Sequence, residues 1–394
     1  MNDRGLSLNS TEILKGYLFS QIGSGDQKNK LNEIWMERIA EIKRISKDAD
    51  LEFFKSWLRA KYAKTGTLSG EKEDFEGIDQ FHRWIKNNNK KVGLNSKDDY
   101  IKFIKEKFGH YSNLYIRLND YSKNFHPEYE YIYYISFNKF IGSLYYPLLL
   151  APIKMTDKPN DITQKIALVS RYIENFVVRK RVNGESVGLT TIRTQIYNLI
   201  LEIRDKTKEE LSKSLKEKVE VLPSFEKMSV LKLGKQNKDF IRFLLARITN
   251  YIERESRLPS RFGDYLGPTN AKPFEIEHIW PDKFEDHKDE FNDRVDFDRY
   301  RNMIGALILI QKGTNQSFLA DSFEDKQKFY YGQNLLAKSL CSECYEKNPE
   351  FKKFKQNSGL PFEPHSRFKK QDIEKRQKLY QKICEKIWDT SGFD

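Results

Sequence analysis

The chain has 394 residues and a mass of 46.8 kDa, room for two or three domains at about 100–200 residues each. With 38% hydrophobic, 32% charged and 13% aromatic residues, it is too rich in rings for a disordered chain, and collagen-like, coiled-coil-only and low-complexity classes are excluded. Lys and Arg number 69 against 57 Asp and Glu, for a net charge of +12 and a pI near 9.2, a balance that suits a polyanionic partner without identifying one.

Three cysteines are present: Cys341 and Cys344 as one CxxC, and Cys384 downstream. One pair is no disulfide framework, so a reducing cytoplasm is expected. A structural zinc would need a second ligand pair, for which only His365 and Cys384 offer themselves, and reduced structural thiols are the preferred reading. The N-terminal residues lack a signal-peptide layout. The longest uncharged apolar run, Ile141 to Ile153, has 13 residues and two prolines, short of the roughly 18 a membrane span needs. No membrane association is expected.

In chain order, Asn9 and Glu12 have capping-box spacing ahead of an Ile13, Leu14, Tyr17, Leu18 stripe, which predicts a helix from about 10 to 20. From about 28 to 250 the pattern is mainly helical. Leu31, Ile34, Trp35, Ile39, Ile42 and Ile45 recur at helical spacing, as do Phe53, Phe54, Trp57, Leu58 and Tyr62. Ile166 to Val177 and Phe240 to Tyr251 repeat the pattern. Turns are expected at Thr65–Gly70, Asn87–Ser96, Thr156–Asp161 and Asn183–Gly188. The bland reading is a helical bundle with Lys and Arg on its polar faces.

The pattern changes near 257. Leu258-Pro259-Ser260 and Gly267-Pro268-Thr269-Asn270 break the helix. Phe274 to Ile279 alternates at period two, a short strand. A polar loop is expected over 282–301; from Glu275 to Arg301 there are ten acidic and five basic residues. Ile304 to Ile310 predicts a second strand, Asn315 opens a turn, and Phe323 to Tyr331 predicts a helix.

No GxxxxGK, GxGxxG, GxSxG or HExxH motif occurs, so no nucleotide-phosphate cradle or zincin site is expected. The chain instead presents Glu277-His278-Ile279-x-Pro281, then Asn302, then Asn315, over a strand, strand, helix order. Phosphodiester hydrolysis needs a base for water, a cation for the charge growing on phosphorus, and help for the leaving oxygen. A neutral imidazole at a strand end can be that base at neutral pH. A carboxylate and an amide oxygen are hard ligands suited to Mg²⁺. Taken singly, His278 would be a hydrogen-bonded structural residue and Glu277 and Asn315 surface polar groups; together, in this order, they point to a site.

These residues resemble the HNH (His-Me finger) nuclease domain at the C-terminus of GmrSD-type modification-dependent restriction endonucleases. The likeness runs from Arg247–Glu253 through Ile276–Pro281, Arg301–Leu309 and Asn315–Phe318 to Asn334–Leu340. Met1–Leu8 resembles the tail of that family's ParB-like, NTP-using sensor domain, and the helical middle its linker bundle. The resemblance implies a mainly α fold: residues 1–25 as a sensor tail, 26–255 as a helical bundle, and 256–394 as a small ββα-metal nuclease module. It implies His278 as general base and Glu277 and Asn315 as ligands of Mg²⁺ or Mn²⁺. The family's Gly-Asn-Leu reads Gly305-Ala306-Leu307 here, and Asn302 is the candidate to take over the support of the loop or imidazole. Lys326, otherwise a solvated helix lysine, is the candidate to face the phosphate.

The sensor's nucleotide motif lies upstream of the segment where this chain starts, so no NTP site is expected in it. DNA, modified or plain, is the expected substrate, and a ParB-like sensor subunit a candidate partner. The rival readings are a non-catalytic DNA-binding or assembly subunit with a decayed site, and an RNase toxin on the same fold.

Overall fold

A computed structural model of the chain describes residues 9–64, 74–137, 142–267, 273–312 and 322–394. The expected turn at Thr65–Gly70, most of the break at Gly267–Asn270, the N-terminal octapeptide and the Asn315–Phe318 segment lie outside the described residues. The protein is mainly helical, with one small two-stranded sheet among the described residues. It divides into two compact units: residues 1–177 with 186–221 and 392–394, and residues 178–185 with 222–391.

Every regular element among the described residues of the first unit is a helix. Its opening helix, Ser10–Ser20, carries the full capping box: the Glu12 amide donates to Asn9 Oδ1 at 2.9 Å and the Asn9 amide to Glu12 Oε2 at 2.8 Å. The core is built on rings. Trp35 from helix Asp26–Lys43 and Phe53, Phe54 and Trp57 from helix Ala49–Lys61 are all buried. A π-helical turn, Phe103–Phe108, sets Phe103 and Phe108, five positions apart, on the same side. Phe108 stacks on Phe54 with centroids 5.6 Å apart and Phe103 on Trp57 at 4.9 Å. Such pairs add stabilisation beyond the apolar area they bury.

The second unit carries the sheet. β1 (Phe274–His278) pairs antiparallel with β2 (Leu307–Gln311), with Glu277 opposite Ile308 and His278 opposite Leu307. Leu307 to Ile310 are all buried, so both faces of β2 are covered. In β1 the expected strict alternation is broken: Phe274 and Glu277 are buried and Glu275 is exposed. Helix Lys370–Ile387 underlies the strand entry, where the Tyr380 hydroxyl donates to Leu307 O at 3.0 Å. Segment 228–233 straps the loop ahead of β2: the Leu233 amide donates to Asn302 O at 2.7 Å and the Ile304 amide to Leu231 O at 3.0 Å.

Two local expectations are corrected. The stretch 282–301 is not one loop: it holds a 3₁₀ turn at Phe284–His287 and a helix at Arg294–Arg301. Asp293 caps that helix by accepting from the Asp296 amide at 2.9 Å, and Phe297 and Tyr300, three apart, are its buried face. The density of acids concealed an amphipathic helix of eight residues. The apolar run at 304 also begins as a 3₁₀ turn, Ile304–Ala306, before the strand.

That turn is pressed against the last long helix. A Cβ on Gly305 would lie 2.4 Å from Ile373 O and 2.8 Å from Gln377 N, both backbone atoms. Gly305→Ala is therefore expected to destabilise the protein by at least ~1–3 kcal/mol, the usual cost of overpacking, read as a lower urea midpoint at unchanged m.

Candidate active site

The end of β1 assembles the site. Glu277 and His278 are its last two residues, and the pairing continues one step further, with the Ile279 amide donating to Ala306 O at 2.9 Å. Trp280, fully buried, anchors the following segment by donating to Phe368 O at 2.7 Å and stacking on Phe297 at 5.7 Å.

His278 Nε2 lies 3.0 Å from Asn302 Oδ1, and Asn302 Nδ2 donates to Asp298 O at 2.7 Å. The second bond fixes which end of the carboxamide faces the ring. Its oxygen can only accept, so Nε2 must carry the proton in the neutral imidazole. Nδ1 then holds the free lone pair, and it has no hydrogen-bond partner among the described residues. Burial, reinforced by the charge of Arg301, lowers the His278 pKa to about 4. The ring is thus neutral at physiological pH.

Glu277 does not face solvent. Its Oε1 receives Lys326 Nζ at 2.7 Å, and the side chains are only 8% and 2% exposed. Lys326 comes from helix Phe323–Tyr330, begun by the Ser322 cap. The same ammonium donates to His278 O at 3.1 Å and lies 3.4 Å from Ile279 O. The reading of Lys326 as a solvated helix lysine is thereby overturned: its helix turns it inward, where the Glu277 carboxylate offsets the cost of desolvating it. Burial pushes the Glu277 carboxyl above its ordinary range, and Lys326 pulls it back.

The structure thus brings together His278, Asn302, Glu277 and Lys326. Asn315 lies outside the described residues. Ala306, where the resembled family has Asn, is fully buried and serves the site through its backbone carbonyl. One group escaped sequence reasoning: Arg301. Its Nε donates to Trp280 O at 3.2 Å, burial lowers its pKa, and its charge acts on His278. It stands directly before Asn302 at the end of the capped helix, and a basic residue beside a candidate carboxamide was the available signal.

The donor chemistry suits a divalent ion in kind: a carboxylate with two backbone carbonyls beside it, all hard oxygens. The cation those oxygens hold here is the Lys326 ammonium. Glu277 Oε2 has no hydrogen-bond partner among the described residues. Elsewhere, Glu363, His365 and Asp372 converge, but Lys375 Nζ already lies 2.8 Å from Glu363. Cys341, Cys344 and Cys384 are buried free thiols, and no metal-ligand cluster among the described residues includes them. Burial raises Cys341 to about 11 and Cys344 to about 12, so these thiols stay protonated at neutral pH.

A helical unit that holds a neutral imidazole at a strand end, with a guanidinium and a carboxylate–ammonium pair beside it, has the groups of an acid–base hydrolytic site for an anionic substrate. Residues 224–383 match the family model of GmrSD restriction endonucleases, C-terminal domain, which supports the family resemblance for this region of the chain. The match supports a nuclease of a restriction system, a class whose substrate is DNA. No curated protein matches the chain. No described helix is long and apolar enough to cross a membrane.

Two outcomes follow from the geometry. The His278 ring should titrate by NMR at about 4 rather than 6.5, and Arg301→Gln should move it upward by removing a repelling charge. Because the folded value is the lower one, the unfolded chain binds this proton first; stability supplied by the neutral ring is lost as pH falls from 6.5 to about 4. In urea unfolding, Lys326→Met alone should cost about 3–5 kcal/mol by stranding a buried carboxylate, while Glu277→Gln with Lys326→Met should recover most of that loss.

Proposed function

We propose that the second unit is an HNH-type, metal-dependent DNA endonuclease module of a modification-dependent restriction system, working with a ParB-like sensor. The observation that carries this reading is the His278–Asn302 bond at 3.0 Å, which leaves a neutral ring with Nδ1 unprotonated. On this reading His278 Nδ1 takes a proton from water as its oxygen attacks phosphorus. The P–O3′ bond breaks, leaving a 5′-phosphate and a 3′-oxygen that becomes a hydroxyl. Asn302 holds the ring in its tautomer, and Arg301 presents its Nη groups to a phosphate oxygen. A divalent ion, Mg²⁺ or Mn²⁺, held by Glu277 and Asn315 would neutralise charge at the leaving oxygen.

A ring that binds its proton only near pH 4 is always available as free base at pH 7, yet it is a weak base. The substrate offsets this: a phosphodiester anion next to His278 and Arg301 favours the imidazolium and raises its proton affinity at the moment of attack. The basic surplus of the chain favours DNA through its phosphates, so affinity should fall steeply with salt. The carbonyl supplied by buried Ala306 favours an intact site over a decayed one, since the strand pairing there is complete.

His278→Ala should lower plasmid nicking in Mg²⁺ or Mn²⁺ by at least about 10²-fold, the worth of a general base, while gel-shift binding persists. Undiminished nicking would remove the base assignment. RNA offered in parallel should not be cut.

A further inference from the structure

We propose that the Lys326 ammonium is a resident cation that competes with a divalent metal ion for Glu277. The inference rests on the proposed reading of this site as a nuclease centre and adds a regulatory element to it.

Three oxygens surround Lys326 Nζ: Glu277 Oε1 at 2.7 Å, His278 O at 3.1 Å and Ile279 O at 3.4 Å. One is a carboxylate and two are carbonyls, the ligand types that divalent cations of the Mg²⁺ class take. The ammonium is almost fully buried, so it fills the cradle rather than visiting it from solvent. A second cation drawn to the same carboxylate would meet a full positive charge a few ångströms away, in surroundings that screen it poorly. Arg301 adds a further positive charge. Simultaneous occupancy is therefore disfavoured, and ion entry must move the ammonium out.

Lysine is suited to yielding. Its charge sits on a flexible four-carbon stem rather than in a rigid planar fork, and that stem springs from the short helix Phe323–Tyr330. Displaced from Glu277, the ammonium would be free to meet the phosphate that the incoming ion accompanies. The Glu277–Lys326 pair thereby keeps β1 ordered without metal, and the free chain should hold divalent ions weakly.

Two measurements test this. In the wild-type full-length chain, reductive methylation read by mass spectrometry should leave Lys326 protected without metal. Millimolar Mn²⁺ should expose it, with exposed Lys352 and Lys353 as unchanged controls. Mn²⁺ affinity by electron paramagnetic resonance should be tighter in Lys326→Met by about ten-fold or more, and the gain should vanish when Glu277→Gln is added. Persistent protection of Lys326 at Mn²⁺ concentrations that saturate binding overturns the proposal. Equal or weaker Mn²⁺ binding by a folded Lys326→Met chain overturns it too, as does the absence of Glu277-dependent binding in both chains. The labelling does not need DNA cleavage: a chain that exposes Lys326 with Mn²⁺ but never nicks DNA retains the competition and loses only the nuclease reading.

Discussion

The salt link between Glu277 and Lys326 is the constraint on which the site turns. Burying two opposite charges costs several kcal/mol of desolvation per ion before any attraction is counted. An ion pair in that position adds little to stability compared with a packed apolar pair of the same volume, but it restricts geometry strongly. Here it joins the last turn of sheet to a helix some fifty residues later in the chain, and the same ammonium grips the carbonyl of His278. The backbone of the imidazole is therefore fixed by the group that neutralises its neighbour. Neither β1 nor helix Phe323–Tyr330 can slide without stranding a charge.

The imidazole is oriented by Asn302 at the end of helix Arg294–Arg301, which lies in an acid-rich segment of the chain. Its acids are spent locally: Asp293 caps it, and Arg294 and Arg299 pair with Asp298 and Asp296 along its face. What the helix delivers is its C-terminal end, where Arg301 and Asn302 stand side by side. An acidic segment near the proposed site for a polyanion is thus explained by its role as a short scaffold whose negative charge is largely balanced within one or two turns. Asn302 does through its carboxamide what the methyl of Ala306 cannot, and Ala306 in turn holds Ile279 through its carbonyl.

The sequence announced those parts of the structure whose chemistry is local. The Asn9–Glu12 capping box, the helical stripes of the first unit and the apolar run of β2 are short-range patterns, and they fold as written save for the 3₁₀ turn that opens the run at Ile304. So did the Glu277–His278 pair at a strand end. Helix Arg294–Arg301 was hidden because only Phe297 and Tyr300 mark its buried face, too few for periodicity to stand out from ten acids. The burial of Lys326 was hidden for a different reason. A lysine on a short polar helix is ordinarily solvated, and only its pairing with a carboxylate 49 positions away turns it inward. Long-range electrostatic partners leave no periodic trace. Arg301 was overlooked likewise, because its effect on His278 acts through space and not through spacing.

The electrostatics of the assembled site then favour one class of ligand. Around His278 stand two cations, Arg301 and Lys326, and the Asp282 carboxylate, while neighbouring Glu277 is already taken by Lys326. The imidazole is held neutral first by its burial and then by the charges of Arg301 and Lys326. An anion entering there would relieve this: it would pair with Arg301, lower the cost of protonating His278, and draw on the ammonium behind Glu277. A neutral ligand would do none of these things, and a cation must first displace Lys326. On the proposed reading, the site is poised as a base switched on by its own negatively charged substrate, with proton affinity low in the free protein and rising where a phosphate lies against the ring.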